Sequence, residues 1–82
     1  MDVQFTVEHA GCESCAERVR TALSPFGDVR DLEIDEADDS AGVKVRVFPE
    51  TSLEDVNRAL AQASVGAGHE YRVQPGSWQA TA

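Results

Sequence analysis

The chain has 82 residues, 41% hydrophobic and 27% charged, with 15 acidic against 7 basic side chains and a formal charge of −8. That length supports one domain with a thin core, burying about 60–65% of the unfolded chain's surface, and leaves little room for a multi-step catalyst. The acidity repels phosphate backbones and anionic membranes, and no apolar run approaches the roughly 18–20 residues that span a bilayer, which argues against nucleic-acid binding, lipid binding and membrane insertion.

The opening Met1-Asp2-Val3-Gln4-Phe5 has no basic segment leading into an apolar one, so neither a secretory signal nor a transit peptide is expected, and a cytoplasmic location follows by default. Val3, Phe5 and Val7 alternate with Gln4, Thr6 and Glu8, the period of two that predicts a strand with one buried face. After His9-Ala10-Gly11-Cys12, the apolar positions Cys15, Ala16, Val19, Ala22, Leu23 and Phe26 recur at helical spacing, so a helix starts at or just after Cys12. Pro25 and Gly27 close it, Pro25 by blocking the hydrogen-bond ladder and Gly27 by tolerating positive φ.

Leu32 and Ile34 alternate with acidic residues, Val43, Val45 and Val47 alternate with Lys44 and Arg46, and the polar stretch 36–42 between them predicts a β-hairpin. Beyond Pro49, Thr51-Ser52-Leu53-Glu54 fits a capping box, and Leu53, Val56, Leu60 and Ala63 form the stripe of a second helix that Gly66 and Gly68 end. Tyr71 and Val73 mark a short last strand. The predicted organisation is one domain over residues 1–75, with residues 76–82 as a loosely held tail containing Trp78. The order β-α-β-β-α-β is that of an α+β, ferredoxin-like split unit: a four-stranded antiparallel sheet with two helices on one face. Many unrelated activities use this architecture, so function has to be argued from a site.

The two cysteines, Cys12 and Cys15, fall together at the junction of loop and helix. There the helix N-terminus contributes partial positive charge and free N–H groups, which favour thiolate over thiol. Soft thiolates select copper(I), zinc and similar ions over magnesium or calcium. Two thiolates leave a tetrahedral zinc site incomplete, whereas copper(I) accepts two or three ligands, and an open coordination sphere suits a carrier. A redox dithiol is the rival, since thioredoxin-like proteins also place Cys-x-x-Cys at a helix start. A structural disulfide is disfavoured, because a bridge across so short a loop constrains little chain and a cytoplasmic setting keeps thiols reduced.

The stretch from Val7 to Val19 with Gly11-Cys12-Glu13-Ser14-Cys15, then Pro25-Phe26-Gly27-Asp28-Val29 and Leu32-Glu33-Ile34-Asp35, resembles the heavy-metal-associated domain of copper chaperones and P-type ATPases over residues 2–74. The resemblance implies the ferredoxin-like fold and metal binding by Cys12 and Cys15. The implied ion is copper(I), with zinc, mercury or cadmium as others, and the implied partner is the metal-binding domain of a P-type metal-transporting ATPase, met as a monomer or a metal-bridged dimer. His9 and Ala10 stand where the family has Gly-Met. The family's methionine is a buried prop of the metal loop, so Ala10 is expected to leave that loop looser. Gly68-His69 stands where the family has Gly-Tyr, which implies that His69 lies near the cysteines as a third ligand or a modulator of release. An exposed loop histidine is the alternative there, and His9 is expected to be exposed. Asp35, Glu36, Asp38 and Asp39 lack the spacing, glycine and terminal glutamate of an EF-hand and fit a solvated turn. No nucleophilic triad stands out and two histidines give little scope for acid–base work, so no enzyme activity is expected.

Overall fold

Alternation along the first strand, β1 (Asp2–Glu8), buries Val3, Phe5 and Val7 and leaves the residues between them half-exposed. The computed structural model describes residues 2–65 and 70–80 of the chain. After β1 come α1 (Glu13–Leu23), β2 (Gly27–Asp35), β3 (Ser40–Val47), α2 (Leu53–Ala63), β4 (Arg72–Val73) and β5 (Gln79–Ala80). The sheet runs β2-β3-β1-β4, with β5 also on β1. Antiparallel pairing of β1 with β3 sets Val3 opposite Val45, Phe5 opposite Val43 and Val7 opposite Ala41, so one face of the central pair is wholly apolar. Cys15, Val19 and Leu23 of α1 and Val56 and Leu60 of α2 join these side chains in one core. This is the ferredoxin-like arrangement expected from the element order.

Several boundaries differ from the expected ones for local physical reasons. β2 begins at Gly27, not near Leu32, because a bulge between Val29 and Asp31 inserts an extra residue and resets the alternation. Val29 and Leu32 thus both pack against the core although an odd number of positions separates them. Gly27 does not serve as a positive-φ stop. It starts the strand, and a Cβ there would lie 1.9 Å from the carbonyl oxygen of Arg46. In α2 the capping box sits one residue later than Thr51–Glu54: Ser52 Oγ accepts the Asp55 N–H at 3.2 Å, and the Asp55 carboxylate accepts the Ser52 N–H at 3.4 Å. Thr51 is buried instead. Gly66 and Gly68, expected to end this helix, lie outside the described residues; the last helical residue is Ala63, with Ser64 as its cap.

The segment after Pro75, expected as a loose tail, runs along β1 as far as Ala80. The Gln74 N–H donates to the Thr6 carbonyl at 2.7 Å, and the chain then turns at Gly76, whose φ is 84°. Ser77 Oγ accepts the Thr6 N–H at 3.1 Å, so a side chain fills the gap between β4 and β5. β5 then pairs Ala80 with Val3 and Gln79 with Gln4. Trp78 stacks on Phe5 with ring centroids 5.2 Å apart, contributing apolar area that composition alone did not reveal.

Candidate metal centre

Cys12 is the N-cap of α1, in extended backbone (φ −100°, ψ 158°), and its side chain caps nothing. Three residues on, Cys15 lies in the first helical turn, fully buried in the core, and its N–H donates to the Cys12 carbonyl at 3.1 Å. Helical geometry thus fixes Cys15, while Cys12 takes its direction from the loop before it. The Cα atoms are 5.1 Å apart and the sulfurs are joined, S–S 2.07 Å. The bridge runs from the N-cap Cys12 to Cys15 in the first helical turn, and it was as a structural staple that the sequence disfavoured it. With two residues enclosed it constrains little chain, so its weight is chemical and not structural. Ser14 Oγ lies 3.4 Å from Cys12 Sγ, and the partial positive charge of the helix N-terminus favours negative charge on sulfur once the bridge is opened.

The loop leading to Cys12 is held from the side. His9 has φ 62°, the left-handed region, and Ala10 is fully buried. Asp39, in the turn between β2 and β3, also has positive φ (52°). Its carbonyl accepts the Ala10 N–H at 3.1 Å, and its Oδ1 accepts the Gly11 N–H at 3.0 Å. His9 Nδ1 stands 3.7 Å from Asp39 Oδ2, with both side chains 55% exposed. His9 is therefore exposed as expected, and its recorded partner is Asp39. His69, the third site residue expected from the sequence, lies outside the described residues. Among those described, no three His, Cys, Asp or Glu side chains gather as a metal cage. In the acidic turn, the Asp38 N–H donates to Asp35 Oδ1 at 3.2 Å, an ordinary turn contact. The sequence reading missed the role of Asp39. Its one local signal was an aspartate in a polar turn, a residue that tolerates left-handed backbone.

Residues 4–65 match the heavy-metal-associated domain. The chain belongs to that family. Among solved structures it is similar to the N-terminal domain of a potential copper-translocating P-type ATPase from Bacillus subtilis in the Cu(I)-loaded state, at 19% identity, with 99% of this chain and 95% of that one covered and a TM-score of 0.59. Oxidized MerP from Ralstonia metallidurans CH34 is 20% identical, with 90% and 99% covered and a TM-score of 0.55. The yeast copper transporter domain Ccc2a is 14% identical, with 95% and 97% covered and a TM-score of 0.56. At these identities the shared feature is the fold. No curated protein sequence matches the chain. Among the described residues, no helix of this heavy-metal-associated domain is long and apolar enough to cross a membrane.

Proposed function

We propose that this domain carries a soft metal ion, copper(I) foremost, on the thiolates of Cys12 and Cys15 and passes it to the metal-binding domain of a P-type metal-transporting ATPase. The observation that carries the proposal is the meeting of the two cysteines at a helix N-terminus, Cα atoms 5.1 Å apart, in a heavy-metal-associated domain. Binding starts from the reduced pair: a dithiol reductant of the compartment gives two electrons and two protons to the bridge, opening it to two thiols and itself becoming a disulfide, and each thiol then gives up its proton as its sulfur takes the ion. Transfer is ligand exchange without change of oxidation state. An incoming thiolate joins the ion, one of the two cysteines leaves and takes up a proton, and the second follows. A reducing compartment such as the cytoplasm suits this chemistry, and His69 is the candidate third ligand.

Anaerobic titration of the reduced chain with copper(I) against a competing chelator should give tight binding of about one ion per chain. Cys12→Ser or Cys15→Ser should abolish it. Half an ion per chain would indicate a metal-bridged dimer, and stronger retention of zinc, mercury or cadmium would reassign the cargo. Weak binding without definite stoichiometry would sink the carrier. The bonded sulfurs favour one alternative, a thiol–disulfide oxidoreductase. Catalysis of disulfide exchange, together with a reduction potential near those of cellular oxidoreductases, would establish it.

A further inference from the structure

We propose that Asp39 is the positioning residue of the metal loop, setting the approach of Cys12 to Cys15 by gripping the three residues that precede Cys12. This rests on Cys12 and Cys15 being the metal ligands. Asp39 is 28 residues from Gly11 in sequence, yet the β2–β3 turn brings it against His9, Ala10 and Gly11 in succession. Its carbonyl holds the Ala10 N–H, one carboxylate oxygen holds the Gly11 N–H, and the other faces His9 Nδ1.

Two further observations show that the grip is built in. A Cβ on residue 11 would lie 2.5 Å from Asp39 Cα and 2.9 Å from Oδ1, so the glycine before Cys12 is required by the closeness of the turn. His9 and Asp39, the two sides of the contact, both adopt left-handed backbone, a conformation that histidine and aspartate tolerate better than most residues and that faces the two turns toward each other. The consequence falls on Cys12. Cys15 is held by helix and core whatever the state of its sulfur. While the bridge is closed, Cys12 is tied to Cys15 covalently. Once it opens for metal, the backbone leading into Cys12 is held by the hydrogen bonds to Asp39 together with the burial of Ala10. Partners hydrogen-bonded directly to metal ligands are worth about 10–100-fold in affinity, and Asp39, which acts one step further out through the backbone, belongs at the lower end of that range.

The test uses variants that spare the left-handed backbone. Asp39→Gly keeps the turn and the carbonyl for Ala10 while deleting the carboxylate. Asp39→Asn keeps an acceptor oxygen for Gly11 and removes the charge. In anaerobic competition titrations of the reduced full chain, Asp39→Gly should bind copper(I) about tenfold or more weakly, and Asp39→Asn should stay within about twofold of the parent. Ser52→Ala, which weakens the α2 cap far from the loop, should lose stability at unchanged affinity. Gly11→Ala forces the same segments apart and should show the Asp39→Gly loss, which decides the matter if that variant does not fold. Parent-like affinity in Asp39→Gly or Gly11→Ala overturns the proposal, as does an Asp39→Asn variant as weak as Asp39→Gly. A parent chain that binds no copper(I) overturns the metal carrier itself.

Discussion

Tyr71, just ahead of β4, is 2% exposed. Burial favours its neutral form and pushes its pKa above the ordinary value, while the positive charge of Arg18 pulls the other way. As pH rises, the phenol of the unfolded chain ionises first, so unfolding gains from about pH 10 upward and the stability that burial confers is lost. Urea midpoints measured from about pH 8 to pH 11 should fall across the upper part of that range. In Tyr71→Phe the fall should be smaller, and an undiminished fall would acquit the phenol. The opposite sign applies at the surface, where the hydrogen bond from Arg46 lowers the pKa of Asp2, so that contribution is present at neutral pH and disappears on acidification. The two ends of the stability profile therefore answer to different residues.

At the scale of elements, β1 is the organiser, taking β3 on one edge and β4 followed by β5 on the other. Trp78, the single tryptophan, reports on that second edge through its stacking on Phe5. If β5 is part of the cooperative unit, tryptophan fluorescence and far-ultraviolet circular dichroism should give one urea midpoint; a fluorescence change at lower urea would mark β5 as a separately fraying segment. What could be read from the sequence, and what could not, divides along the same line. Val3, Phe5 and Val7, the valines of β3 and the stripe of α2 are periodic within a few residues, so strands, helices and their order were legible. The neighbouring cysteines were legible too. Asp39 beside the loop before Cys12, Ser77 in the gap of the last edge and Trp78 on Phe5 were not, because each depends on residues brought together from far along the chain. The start of β2 was hidden by its bulge, which breaks the only local signal a strand has.

The whole molecule carries −8 on 82 residues, and its paired charges do not balance that excess. Cross-strand pairs such as Arg46 with Asp2 and Arg72 with the half-buried Glu8 keep their arginines in solvent and are worth little individually, so self-repulsion of the acidic surface weakens the folded state. Raising sodium chloride from about 0.01 to 0.15 M shortens the screening length from about 30 to 8 Å and should raise the Tm. A gain of about 1 kcal/mol would appear as about 4–8 °C in a domain of this size, and a Tm that falls or stays level would show that attractive pairs dominate. The same molecule is lopsided at its thiols, since Cys15 is sealed in the core while Cys12 is only partly covered. An ion held by both sulfurs would rest against the core on the Cys15 side and, among the described residues, face outward on the Cys12 side. In that case a second protein exchanging ligands with the ion would approach over Cys12, the less covered of the two cysteines.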